Sequence, residues 1–360
     1  MIYLIIQVIT NNDQGNFMNP IRIGIIGSGG IVKTKHLPGF RKLKNCSLVG
    51  VCNRSTESSK RFAQENNIPK IFSSPEELIH SKDIDAVLIG TWPYKHCEFT
   101  LKSLNADKHV FVQARMAMNL EEAKKMLTVA RAKPNLTTMI CPSPFGFSAD
   151  LTIRELMANN FVGQIISAKY TGLEKYDPEA KLTWRQLKEF SGLNIMGMGI
   201  YYETISRWIG YAKEVVAIKS QIVAERIDSS DNRLKKVEIE DDIILTGFLE
   251  NGGAFSYHFG CSNYPPVELL EIFGTSGTII FDFQTNSLKI GKRNEELKEN
   301  IIPENKKKIW AVEEDFIDTI QTGKQHEVSF EEGLKYMAFT QAIHESGNYK
   351  KIISIAPLLT

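Results

Sequence analysis

"IRIGIIGSGGIVKTKHLPGF", residues 21–40, decides the fold. The run 21–26 is short, mostly apolar and closed by glycine, which fits a buried strand. Gly27, Ser28, Gly29, Gly30 and Ile31 follow, and a helical pattern over 30–43 bends near Pro38. A strand, a glycine-rich turn and a helix in that order present free backbone N–H groups at a helix N-terminus, where they cradle a pyrophosphate. Gly27 and Gly29 fill the first two glycine places of G-x-G-x-x-G, and Val32 takes the third, usually Gly or Ala. A tight structural turn would carry the same letters. The setting, with a second strand ending about 20 residues on, favours a dinucleotide site.

Outward from that stretch the rhythm repeats. Apolar runs at 47–53, 85–91, 109–112 and 136–142 alternate with helical patterns at 56–67, 94–106 and 120–132. Strands without polar alternation, separated by helices, predict a doubly wound parallel sheet covered on both faces. This dinucleotide-binding domain spans 21–142. Beyond it a helix at 149–160 leads into strands at 164–172, 214–225, 241–250, 253–261, 267–274 and 277–283, with "ENGG" (250–253) as a hairpin turn. Consecutive strands predict a second, open and mostly antiparallel sheet with helices on one face, over 143–360. Helices at 311–322 and 331–346 close the chain. Residues 1–20 form an extension. "MIYLIIQVIT" is shorter than the roughly 20 residues of a spanning helix and lacks signal-peptide flanks, so an added strand or a mis-assigned start is expected there.

Composition narrows the function. The chain has 360 residues, 42% hydrophobic and 24% charged, with a net charge of +1, which gives no general case for nucleic acid or an anionic membrane. Five scattered cysteines form neither a disulfide framework nor a metal cluster, and they fit a reducing cytoplasm. No metal is expected, since His258 and His326 have no ligand-like neighbours in sequence. The second strand ends in Asn53, Arg54 and Ser55. A carboxylate there would bond the 2′-hydroxyl of NAD(H). Its absence, with a guanidinium beside it, favours NADP(H) while leaving NAD(H) possible.

The segments "IGIIGSGGIVKTKHLPGF", "DAVLIGTWPYKH", "DKHVFVQARMAMNLEEA", "WRQLKEFSGLN", "GMGIYYETISRWIG", "EIFGTSGTIIFDF" and "EDFIDTIQTGKQHEVSFEEGLKYM" resemble, in order and spacing, the glucose–fructose oxidoreductase / inositol dehydrogenase (Gfo/Idh/MocA) family. The resemblance implies a Rossmann domain, an open-sheet substrate and oligomerisation domain, and hydride transfer on a sugar-like or polyol substrate by a homodimer or homotetramer. It also exposes departures. Where the family usually reads Glu-Lys-Pro, this chain has Gln113, Ala114 and Arg115. Where it usually carries Asp, His and Asp, this chain has Gly197, Tyr201 and Thr204. Tyr201 then stands as acid/base with Arg115 supplying the cation a phenol needs; the plain alternative is that Tyr201 packs. Thr91, Trp92 and His96 fall in the loop beside the nicotinamide, and Gln113 remains able to bond a nicotinamide ribose. Trp184 and Arg185, with Lys169 and Tyr170 on the first strand of the second domain and Tyr202 on the catalytic helix, are substrate-contact candidates. A dinucleotide-binding sensor without turnover is the second reading.

Overall fold

The computed structural model describes residues 19–144, 147–324 and 326–359. All but the last two residues of the N-terminal extension lie outside that range, and so does the expectation of an added strand. The first sheet has β1 (Ile21–Ile26), β2 (Cys46–Cys52), β3 (Lys70–Ile71), β4 (Ala86–Ile89), β5 (His109–Val112) and β6 (Thr138–Ile140), ordered β3-β2-β1-β4-β5-β6. Every pairing in it is parallel. The strand order reverses between β1 and β4, and in such sheets a ligand binds beyond the carboxyl ends at that switch point.

The connecting helices are α1 (Leu37–Arg41), α2 (Thr56–Glu65), α3 (Pro75–His80), α4 (His96–Asn105) and α5 (Leu120–Ala132). Pro38 has no amide hydrogen, so the turn before α1 cannot close normally. It opens into a wide π-turn, Val32–His36, in which the N–H of Leu37 reaches back to the carbonyl of Val32. Ser55, Ser74 and Asn119 cap α2, α3 and α5 by accepting from backbone N–H groups three residues on. β3 and α3 are absent from the sequence reading, because two exposed strand residues and six helical ones carry little periodicity.

The second domain holds α6 (Phe147–Ala158), β7 (Ile165–Lys175), α7 (Lys188–Ser191), α8 (Met198–Ile209), β8 (Ala212–Ser220), a small ribbon of β9 (Glu225–Ile227) and β10 (Leu234–Lys236), then β11 (Asp242–Leu249), β12 (Ala254–Asn263), β13 (Val267–Gly274), β14 (Gly277–Asp282), β15 (Ser287–Lys292) and β16 (Lys298–Glu299). With β17 (Ile353–Ser354) they form a nine-stranded sheet, β16-β15-β14-β13-β7-β12-β11-β8-β17. Only the β7–β12 pairing is parallel. The run read as one strand over 214–225 is two, interrupted after Ser220.

One face of this sheet is sealed by α8 and by α10 (Phe330–Tyr349), where Tyr170, Tyr257, Phe255 and Phe281 are fully buried. α9 (Val312–Thr322) does not join that layer. Its Val312, Phe316 and Ile317 pack into the first domain's core with Ile23, Val32 and Phe40, so the chain returns to the Rossmann domain after leaving it. A short α11 (Ala356–Leu359) ends the described chain. Among the described residues no helix is long and apolar enough to cross a membrane.

Candidate active site

The carboxyl ends of β1 and β4 nearly touch. Gly27 has φ of +85°, and a Cβ on it would fall 2.9 Å from the backbone nitrogen of Thr91. A Cβ on Gly90 would fall 2.3 Å from the carbonyl of Gly27. Only glycine fits at either place, and Ser28 and Gly29 line an open cleft of about 350 Å³ beside their approach; Gly30 and Ile31 are exposed outside its lining. Gly29 and Gly30 meet no such constraint, since a Cβ at Gly30 would have nothing within 4 Å.

Asn53 sits at the end of β2, where a ribose contact is expected. Its side chain instead accepts from the N–H of Ser28 at 2.8 Å and donates to the Ser28 hydroxyl at 2.8 Å. It fixes the glycine-rich turn, and its hydrogen bonds are used there. Arg54 is exposed on the cleft wall beside Ser55, and the sequence reading missed Lys33, Ser58 and Arg61 on the same wall. Three cations and no carboxylate line this cleft.

Thr91 and Trp92 lie where expected. His96 is fully buried, with Nδ1 at 2.8 Å from the carbonyl of Arg115 and Nε2 at 2.9 Å from that of Thr91. Burial lowers its pKa. It braces the two loops against each other and is shielded from any ligand. Gln113 is a correction. Its amide N–H donates inward to His36 Nε2, and His36 in turn bonds Glu313, which accepts from Trp310 Nε1 at 3.0 Å. A side chain held in this buried chain is turned away from a nicotinamide ribose and ties the Rossmann sheet to α9.

The second domain reaches across the cleft mouth. Trp184 stacks on Trp92 with centroids 5.6 Å apart and planes 16° apart, and Phe190 meets both Trp92 and Tyr94 edge-on. Arg185 lies 4.4 Å from the Trp184 ring. Lys169 is a second correction. Side chains alternate along a strand, so Lys169 projects from the open outer face, where it pairs with Glu271 at 3.4 Å, while Tyr170 points inward. Tyr202 is a third. Its ring stacks on Phe339 with a centroid distance of 3.6 Å, its oxygen accepts from the N–H of Ala212, and it belongs to the core.

Tyr201 and Arg115 are not brought together. The phenol lies in a small recess with Tyr170, Glu174, Met196 and Glu268, with its ring 5.1 Å from that of Tyr170. Burial and the Glu268 and Glu174 carboxylates push its pKa well upward. This is the opposite of the lowering a neighbouring guanidinium would produce. Arg115, after a cis peptide bond from Ala114, feels Arg185 and Tyr336 most strongly. Glu174 is raised as well, by burial and by the charge of Glu268.

The pattern of the oxidoreductase family with an NAD-binding Rossmann fold, Gfo/Idh/MocA, matches residues 21–140, and that of its C-terminal domain matches 151–280. Among curated relatives, an oxidoreductase of Formosa agariphila is 27% identical over 281 residues, 76% of this chain and 82% of that one. The 1,5-anhydro-D-fructose reductase of Ensifer adhaerens is 26% identical over 72% of this chain and 75% of its own. The levoglucosan dehydrogenase of Pseudarthrobacter phenanthrenivorans is 24% identical over 74% and 75%. Among solved structures, apo levoglucosan dehydrogenase superposes with a TM-score of 0.85 at 19% identity, covering 94% of this chain and 99% of that one.

An unperturbed phenol ionises near pH 10. With its pKa raised, Tyr201 stays protonated there. Ultraviolet titration of the phenols between about pH 9 and 11 is therefore expected to have the same amplitude in wild type and Tyr201→Phe; a lost phenolate signal in that range would contradict the carboxylate surroundings.

Proposed function

The chain belongs to the Gfo/Idh/MocA family of NAD-binding oxidoreductases, and from that premise we propose that it uses NADP(H) in preference to NAD(H) to interconvert an alcohol and a carbonyl on a sugar-like or polyol substrate. The observation that carries the cofactor preference is the cleft wall of Lys33, Arg54 and Arg61 with no carboxylate to repel a 2′-phosphate. The glycine-rich turn fits a dinucleotide, since Gly27, Ser28 and Gly29 line the open cleft at the switch point of the sheet. The substrate class draws on relatives named for levoglucosan and 1,5-anhydro-D-fructose.

When bound, the nicotinamide takes or supplies the hydride; the chain's own residues handle the proton. A phenol with a raised pKa cannot wait as a phenolate base. It can relay. In the oxidation direction the substrate hydroxyl proton moves to the Tyr201 oxygen as the Tyr201 proton moves to the Glu268 carboxylate. Reduction runs the same transfer backwards, and Tyr201 is never left charged. Glu174, held above its ordinary carboxyl range by burial and by the charge of Glu268, lines the same recess. Arg115 is outside this relay. Trp184 covers the cofactor cleft from the second domain through its stack on Trp92.

The outer face of the nine-stranded sheet is the self-association surface of this reading. Ile218 and Ile244 are cross-strand partners and 63% and 47% exposed, and Phe248 on the same strand is 50% exposed. Contiguous apolar exposure of this kind marks an interface. Light scattering at micromolar concentration is expected to show a dimer or tetramer, and Ile244→Asp with Phe248→Asp a monomer.

Cofactor titration tests the first assignment. Arg54→Ala is expected to weaken NADPH by about 10-fold or more, the scale of a charge-assisted hydrogen bond, with little change for NADH. Equal loss for both cofactors, or none, would count against the phosphate role. Turnover tests the relay. Tyr201→Phe and Glu268→Gln should each lower kcat by about 10²–10⁴ with NADPH affinity unchanged, and the double variant should be no slower than the worse single one. Additive losses, or full activity in Glu268→Gln, would remove Glu268 from the proton path.

A further inference from the structure

Arg115 is 5% exposed, and its Nε and Nη2 have no hydrogen-bond partner among the described residues. A buried cation left unpaired is strongly destabilising, and a ligand that completes it offsets that cost. The neighbouring charges do not complete it. Glu203 shares the same internal wall, but it is committed to Arg207 at 3.1 Å and to the N–H of Ser143 at 2.8 Å. The charge acting most strongly on Arg115 is another cation, Arg185. With burial it brings the Arg115 pKa down to about 10, still protonated at neutral pH.

A second positive element points to the same place. The stem of Arg115 runs along the first turn of α8; a Cβ on Gly199 would stand 3.7 Å from its Cδ. α8 is 12 residues long, Gly197 gives it no side-chain cap, and its first turn holds no acidic residue. That end keeps its partial positive charge. Arg185, held on Trp184 at the mouth of the cofactor cleft, acts on Arg115 and is itself under the charge of Glu174. The cofactor phosphates have their own seat at the glycine-rich turn and the wall of Lys33, Arg54 and Arg61.

We propose that Arg115, the N-terminal turn of α8 and Arg185 form an anion subsite, and that the substrate carries a carboxylate or phosphate group which this subsite holds. The proposal rests on the oxidoreductase reading above and narrows its substrate from polyols in general to sugar acids or sugar phosphates. A guanidinium is the cation suited to either group, because its fork of N–H donors matches two oxygens at once. Binding there anchors the charged end of the substrate.

The test uses the full chain and two measurements. In thermal unfolding, D-glucuronate, D-glucose 6-phosphate and neutral D-glucose are compared on wild type and Arg115→Met, with NADPH affinity measured separately on both. At least one anionic sugar is expected to raise the wild-type Tm and neither to raise that of Arg115→Met, with glucose without effect on either. The glucuronate and glucose 6-phosphate arms separate a carboxylate from a phosphate. Without ligand, Arg115→Met is expected to unfold about 2–4 °C higher than wild type, since an apolar side chain of similar length relieves the unpaired charge. No anion-dependent shift in the wild type, an equal shift in Arg115→Met, or a lower Tm for the unliganded variant would each overturn the proposal. Absence of NADPH binding in the wild type would instead overturn the NADP(H) reading and leave the anion result to stand or fall by itself.

Discussion

The approach of Gly27 to Gly90 is the constraint on which the site depends. Two backbones meet with no room for a side chain between them, and this fixes how β1 and β4 end. From one side of that contact the turn runs to Ser28, which Asn53 fastens by its N–H and its hydroxyl. From the other it runs to Thr91, whose carbonyl His96 ties to the carbonyl of Arg115. A single steric requirement thus sets the cofactor turn, the loop carrying Trp92 and the backbone position of Arg115. Because these ties are buried and polar, each is strong only while the others hold.

The second domain adds a geometry of its own through α8. Successive helical residues turn by about 100°, so Gly199 and Tyr201, two apart, face nearly opposite ways. Arg115 packs along the Gly199 side, whereas Tyr201 turns to the sheet and its tyrosines, phenylalanines and glutamates. One helix therefore separates two chemistries that adjacent sequence motifs put together. On one side stands a cation without a counterion among the described residues, on the other a phenol among carboxylates.

Much of the fold was legible because it rests on short-range patterns. Unalternating apolar strands announced the parallel sheet, and the helical patterns between them announced the helices that cover it, among them those that Ser55 and Asn119 cap. The site was legible only in part. Gly27, Thr91, Trp92, Arg54 and Trp184 stand at the cleft because the backbone path alone delivers them there. Gln113, Lys169 and Tyr202 do not, because facing a ligand depends on which side of a strand or helix is buried. Lys169 differs from Tyr170 by one residue and so lies on the other face of the sheet.

The sequence by itself determined the alternation of the main strands and helices, the glycine-rich turn, the missing ribose carboxylate and the two altered motifs. These follow from local sterics, periodicity and charge, which a linear text records. Only the tertiary structure decided what Tyr201 and Arg115 face. Glu268 lies 67 positions along the chain from Tyr201, and Arg185 lies 70 from Arg115. The protonation of a phenol and the pairing of a guanidinium depend on such neighbours through burial and Coulomb's law, and those act on distance in space rather than distance along the chain.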